Sequence, residues 1–133
     1  MNQKFVELKF NINTYDIDIA GHVNNIVYVK WFENLRTRLF DKYFNLQELI
    51  SNNLYPVVIY TNINYKKSLY LFDKPIGIMT LEHFSHGIMS LKFEIKLEEK
   101  IIALGEQKCV LMNLTTGKMD KEKVRFILND VNE

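Results

Sequence analysis

From Ile26 onward the apolar positions crowd together: Ile26, Val27, Tyr28, Val29, Trp31 and Phe32, then Leu35, Leu39, Phe40 and Tyr43. This spacing predicts one helix over residues 26–44. Its first two turns are apolar almost all round, and a helix of that kind expects to be enclosed rather than to lie on a surface. The segments around it alternate with a period of two, as strands with one buried face do. A long apolar helix among half-buried strands predicts an α+β layout, with a single curled antiparallel sheet covering the helix face to face.

The strands can be placed from their punctuation. Residues 5–13 set Val6, Leu8, Phe10 and Ile12 against Phe5, Glu7, Lys9, Asn11 and Asn13. After the helix, residues 46–52 read as a short helix or turn. Residues 57–65 are rich in Val, Ile, Tyr and Thr, and residues 76–84 follow the break at Asp73-Lys74-Pro75. Ser85-His86-Gly87 is a tight-turn sequence. Residues 88–97 alternate as Met89, Leu91, Phe93, Ile95 and Leu97; residues 101–114 form a long last strand closed by Thr115-Thr116-Gly117-Lys118. Asp120 is placed to cap a final helix over residues 121–128. An open curled sheet keeps an exposed edge, and pairing of two edges in a homo-oligomer is the simplest way to cover it.

Composition narrows the function classes. With 133 residues, 47% of them hydrophobic, the chain is expected to be one domain, 1–133, with a substantial core. A formal net charge of +1, with lysines spread along the sequence, gives no argument for nucleic acid or an anionic membrane surface. No apolar run approaches the roughly 20 residues needed to span a bilayer. The N-terminal Met1-Asn2-Gln3-Lys4 does not lead into a signal-like apolar core. Cys109 is the only cysteine, which suits a reducing compartment, and the expectation is a cytoplasmic protein.

The chemistry-bearing stretch runs from Tyr15 to Asn25: Tyr15-Asp16-Ile17-Asp18-Ile19-Ala20-Gly21-His22-Val23-Asn24-Asn25. It places two carboxylates, an imidazole, a glycine and two cap-forming amides between an expected strand and an expected helix. The first N–H groups of a helix lack intrahelical partners and carry partial positive charge. They can polarise a carbonyl oxygen while a nearby carboxylate acts on the carbonyl carbon or on a water.

These residues resemble the hotdog-fold acyl-CoA thioesterases of the 4-hydroxybenzoyl-CoA thioesterase type. The resemblance rests on Asp16-Ile17-Asp18, Gly21-His22-Val23-Asn24-Asn25, Tyr28, Trp31-Phe32-Glu33 and Arg36, with weaker echoes at Tyr65-Lys66-Lys67-Ser68-Leu69, Ser90 and Thr116-Gly117. It implies an antiparallel five- or six-stranded sheet wrapped around one long central helix. It also implies a homodimer or homotetramer with active sites at the subunit boundary, an acyl-CoA substrate and no metal or other cofactor. Asp18 matches the family's catalytic aspartate, as nucleophile or general base. Asn25 matches the helix-start residue whose N–H binds the thioester carbonyl. The His-Gly-Gly motif of other hotdog branches is absent, so Glu33 is not assigned a catalytic role. The Asp-x-Asn-x-x-His pattern of hotdog hydratases is absent too.

The remaining candidates have bland and functional readings side by side. Asp16 is read as a structural turn residue. His22 is either a structural hydrogen-bonding group or an aid to catalysis that orients water or substrate. Asn24 is a cap first and a substrate contact second, and Tyr28 is core that could line an acyl pocket. Lys66, Lys67 and Ser68 are the candidates for the coenzyme A phosphates. Glu33 and Arg36, three apart, are read as an ion pair, Cys109 as a packing residue, and His83 and His86 as lacking a third metal ligand. The expectation is an acyl-CoA thioesterase. The alternatives are an acyl-carrier-protein thioesterase, and an acyl-CoA-binding hotdog protein without catalysis.

Overall fold

The computed structural model describes residues 3–124. Strand β1 (Lys4–Lys9) leads through a 3-10 turn (Thr14–Asp16) to helix α1 (Asn25–Phe44) and the short α2 (Leu46–Ser51). Strands β2 (Leu54–Tyr65), β3 (Ile76–Ser85), β4 (Ile88–Leu97), β5 (Lys100–Asn113) and β6 (Lys118–Asp120) follow. The pairings are all antiparallel, in the order β1-β3-β4-β5-β2, with β6 pairing β5.

Helix α1 packs across this sheet with Val27, Tyr28, Trp31, Phe32, Leu35, Leu39, Phe40 and Phe44 buried, the three- and four-residue spacing of one helical face. Phe32 stacks on Phe93 of β4 with ring centroids 3.8 Å apart, and Trp31 stacks on Phe10 at 4.9 Å. Close approach of the β2 backbone to β5 depends on Gly105. A Cβ there would lie 2.6 Å from the Asn62 carbonyl oxygen and 3.4 Å from the Phe32 ring.

The long helix, the short α2 and four of the strands stand where the sequence puts them, within three residues at each end. Three expectations need correction. The first strand stops at Lys9, not Asn13: its partner β3 begins at Ile76, so beyond Lys9 there is no ladder left, and Phe10 donates instead to the Pro75 carbonyl. The closing turn after β5 leads into a further strand, β6. The helix start is not fully enclosed by its own chain, because Ile26 is 62% exposed and Val29 44%. The helix expected over residues 121–128 lies largely outside the described residues, although Asp120 does accept the Lys123 N–H at 2.9 Å as a cap would.

The two sheet edges differ. At β1 the Tyr43 hydroxyl accepts the Phe5 N–H and donates to the Phe5 carbonyl, both at 3.2 Å, and the Lys42 ammonium lies 5.7 Å from the Phe5 ring centroid. Tyr43 of α1 thus occupies that edge at Phe5. The outer edge of β2 carries exposed Val57, Ile59, Tyr60 and Tyr65, with a bulge between Val58 and Tyr60. Among the described residues no strand covers it.

Candidate active site

The loop between β1 and α1 is held as a narrow hairpin. Ile17 and Val23 form a bridge, Asp18 N–H donates to the His22 carbonyl at 3.0 Å, and Gly21 N–H returns to the Asp18 carbonyl at 2.9 Å. Gly21 closes this turn with φ +87°, a left-handed conformation that glycine adopts without strain. Buried Asp16 accepts the Asn13 N–H at 2.8 Å and gives its carbonyl to the Asn24 N–H, the structural role read from the sequence. Val23 N–H donates to the Leu69 carbonyl at 2.8 Å, which ties the loop to the segment after β2.

The loop delivers the chain to the start of α1. Asn24 is the N-cap, and its Oδ1 accepts the Ile26 N–H at 3.0 Å. Val27 N–H turns back to the Asn24 carbonyl. The Asn25 N–H makes no hydrogen bond among the described residues. It is the orphan donor that a helix start offers to an incoming oxygen.

A cavity of about 140 Å³ opens at this point, lined by His22, Val23, Asn25, Tyr28, Tyr65, Lys66, Lys67 and Ser68. Six of the eight residues singled out from sequence thus meet in one place. Asp18 and Asn24 are not on its wall. Asn24 spends its side chain on the cap. Asp18, half-buried in the hairpin, accepts the Ala20 N–H at Oδ1 (2.9 Å), while its Oδ2 has no hydrogen bond among the described residues. It sits one backbone hydrogen bond from His22, whose Nδ1 lies 3.3 Å from the Val23 carbonyl. The N–H groups of Lys66 and Lys67 both donate to the Ile102 carbonyl, at 2.8 and 3.1 Å, so two ammonium side chains leave a fixed backbone at the cavity rim.

Tyr65, quoted from sequence only as part of the Tyr65-Lys66-Lys67-Ser68-Leu69 echo, is the lining residue to which the sequence reading gave no role of its own. Its hydroxyl donates to the Asn25 carbonyl at 3.3 Å, and its ring meets Tyr28 edge-on at 5.2 Å. Burial, then the nearby Tyr65, pushes the Tyr28 hydroxyl up to about 12. Burial also raises Tyr65. Both phenols therefore stay neutral hydrogen-bonding groups at neutral pH. Tyr28 is 2% exposed and forms the inner wall rather than the rim.

The other candidates resolve plainly. Glu33 and Arg36 form the expected ion pair, but Glu33 reaches solvent, with 62% of its side chain exposed; Arg36 also donates to Gln107 Oε1 at 2.9 Å. Cys109 is fully buried, and burial lifts its thiol to about 12, so it packs and does not attack. Among the described residues no three His, Cys, Asp or Glu side chains cluster as metal ligands. No described helix is long and apolar enough to cross a membrane.

A curled antiparallel sheet around one long helix, with a cavity at that helix's N-terminus, is the hotdog arrangement. Residues 12–126 match the thioesterase-like superfamily, and the chain belongs to it; thioester hydrolysis is the class of reaction this assigns. The chain is similar to the long-chain acyl-CoA thioesterase FadM of Escherichia coli, 25% identical over 115 residues, covering 85% of this chain and 87% of that one. Its fold matches the DHNA-CoA thioesterase of Staphylococcus aureus with a TM-score of 0.85 at 20% identity, over 96% of this chain and 91% of that one. It also matches the protein SAV2348 of Staphylococcus aureus, solved in complex with CoA, with a TM-score of 0.86 at 15% identity, over 98% and 85%.

Proposed function

We propose that this protein hydrolyses an acyl-CoA thioester to a free acid and coenzyme A, with Asp18 as nucleophile or general base and the Asn25 N–H as oxyanion donor. The observation that carries this reading is the helix start. There Asn25, whose N–H has no hydrogen bond among the described residues, lines a cavity together with His22 and two lysines, and the Asp18 carboxylate, with one oxygen not hydrogen-bonded among the described residues, stands in the adjoining hairpin. The similarity to FadM and to a CoA-bound fold relative supports the choice of substrate.

The thioester carbonyl oxygen is polarised by the Asn25 N–H and the partial positive charge of the α1 N-terminus. Asp18 either adds to the carbonyl carbon or takes a proton from a water that adds. Either way the carbon–sulfur bond breaks, the sulfur leaves as the coenzyme A thiolate and takes up a proton, and the acid is released. In the nucleophilic route, water then cleaves the mixed anhydride on Asp18. His22 orients the water or substrate, and Asn24 holds the first turn in shape. Lys66, Lys67 and Ser68 receive the phosphates of coenzyme A.

The active unit in this reading is a homodimer joined through β2. Two features support it: on the β1 edge the Phe5 N–H and carbonyl are engaged by Tyr43 of α1, while on β2 Val57, Ile59 and Tyr60 are exposed. A single buried thiol fits work in the cytoplasm. The test is thiol release from a panel of short, medium, long and aromatic acyl-CoAs. Release from at least one of them is the expected result. Tight binding with no release from any would leave an acyl-CoA-binding protein, and release from acyl-carrier-protein thioesters alone would move the substrate to the carrier.

A further inference from the structure

Tyr28 combines near-complete burial with a hydroxyl that has no partner. Its ring is held on two sides, edge-on to Trp31 and to Tyr65, with centroids 5.2 Å away in both cases. Its hydroxyl makes no hydrogen bond among the described residues. Buried polar groups are normally paired, because an unpaired one has lost its water and gained nothing. Among the described residues no side-chain nitrogen or oxygen is both sealed from solvent and unpaired. The Tyr28 hydroxyl therefore keeps an opening, and the opening that Tyr28 borders is the cavity at the helix start. Helical side chains lean toward the N-terminus and cover the turn before their own Cα. Tyr28 follows Asn25 by three residues (28 − 25) on α1, so its side chain leans over the turn that presents the Asn25 N–H. Tyr65 is not available for the same task, because its hydroxyl proton is given to the Asn25 carbonyl.

We propose that the Tyr28 hydroxyl is a second donor to the thioester carbonyl oxygen, acting beside the Asn25 N–H as negative charge develops there. The proposal rests on the thioesterase reading above and adds a catalytic residue to it. Acidity excludes two other tasks for this phenol. Burial, then the nearby Tyr65, keeps it protonated up to about 12, so it is no base at neutral pH. An alkyl thiol ionises near roughly 8.5, so passing the phenol proton to the leaving sulfur runs uphill by more than about a thousandfold. A neutral donor remains. A donor already stripped of water needs no reorganisation when the charge appears, and so stabilises it more than an exposed hydroxyl such as that of Ser68.

The experiment compares the wild type with Tyr28→Phe in thiol release from the best acyl-CoA and in affinity for two ligands that cannot be hydrolysed. S-trifluoroacetonyl-coenzyme A carries a ketone that hydrates to an acidic tetrahedral centre, the shape and charge of the intermediate. S-propyl-coenzyme A lacks that oxygen. Tyr28→Phe keeps the ring between Trp31 and Tyr65 and removes a hydroxyl without a protein partner, so Tm should not fall. kcat is expected to drop by about 10²-fold or more with KM within about threefold. The preference for the ketone over the propyl compound should shrink by a similar factor, with propyl affinity unchanged. A kcat within about threefold of the wild type, or an equal loss of affinity for both ligands, overturns the proposal and leaves Tyr28 a packing residue. The wild type gives an independent check: in a crystal of its ketone complex the Tyr28 oxygen should lie about 3 Å from the tetrahedral oxygen, and other partners for that oxygen overturn the proposal. A wild type that releases thiol from none of the acyl-CoAs overturns the thioesterase reading. The ketone preference then still decides Tyr28: its loss in Tyr28→Phe keeps the contact to the carbonyl oxygen, and its absence from the wild type or its survival in the variant overturns it.

Discussion

The Tyr65 hydroxyl donates to the carbonyl of Asn25 at 3.3 Å, which pins the end of β2 to the first residue of α1. The same residue offers the unpaired N–H, so in the proposed mechanism Tyr65 acts as a positioning residue for the oxyanion donor. Tyr65→Phe keeps the ring packed on Tyr28 and removes only this hydrogen bond. Such a bond contributes about 1 kcal/mol, so kcat is expected to fall roughly three- to tenfold with KM little changed. Steady-state kinetics check this. A rise in KM alone would make Tyr65 a plain wall of the cavity.

The two asparagines at the helix start should behave differently. Asn24→Ala removes the side chain that caps Ile26 and should cost about 1 kcal/mol. In a domain of this size that is a fall in Tm of roughly 3–6 °C. Asn25→Ala keeps the backbone N–H and is expected to leave turnover within about threefold. Thermal unfolding and turnover measured on both variants check the pair. A large loss of kcat in Asn25→Ala would mean that the side chain, not the backbone, meets the substrate.

Alkaline pH should weaken the fold through two buried acids. Burial raises Cys109 from 9.0 to about 12 and Tyr28 from 10.0 to about 12. The folded protein holds both protons at a pH where the unfolded chain has released them. The stability they contribute is therefore full below the unfolded values and is lost as pH rises from about 9 to about 12. Cys109→Ala is expected to be less stable at pH 8, because of the cavity it leaves, yet to show a shallower fall of Tm across that window. An unchanged slope would separate the alkaline transition from Cys109.

The open β2 edge gives a prediction about assembly. Ile59→Lys places a charge at the bulge where two copies would meet, whereas in a monomer it changes only an exposed side chain. Sedimentation is expected to show a dimer for the wild type and a monomer for the variant, with turnover lost together with the dimer. An Ile59→Lys protein that remains dimeric and active would locate the interface elsewhere.

Most of the fold could be read from local pattern, because burial on one face of a strand or helix writes a period into the sequence. Strand β4 is a case in point: Met89, Leu91, Phe93 and Ile95 are all buried, and its bounds were readable to the residue. The alternation of residues 5–13 ran past the true end of β1, because a strand ends where its partner does, and that limit is set by Pro75, more than 60 residues away. Strand β6, three residues long, is too short to carry a pattern. Most of the site was legible because its residues cluster in two short segments with chemical character. The role of Tyr65 was not: it stood only as part of the Tyr65-Lys66-Lys67-Ser68-Leu69 echo, and its role comes from contact with a helix start 40 residues earlier. The exposure of Ile26 and Val29 was hidden for a similar reason. An apolar residue left exposed looks the same in sequence as one covered by its own chain.

Asp18→Asn tests the central claim most directly. The substitution is nearly isosteric and keeps the acceptor for the Ala20 N–H, so the hairpin should fold as before. Thiol release from the best acyl-CoA is expected to fall by about 10² to 10⁴-fold, the range a lost general base or nucleophile gives. Turnover within a few-fold of the wild type, in a protein with an unchanged Tm, would contradict the account and remove Asp18 from the chemistry.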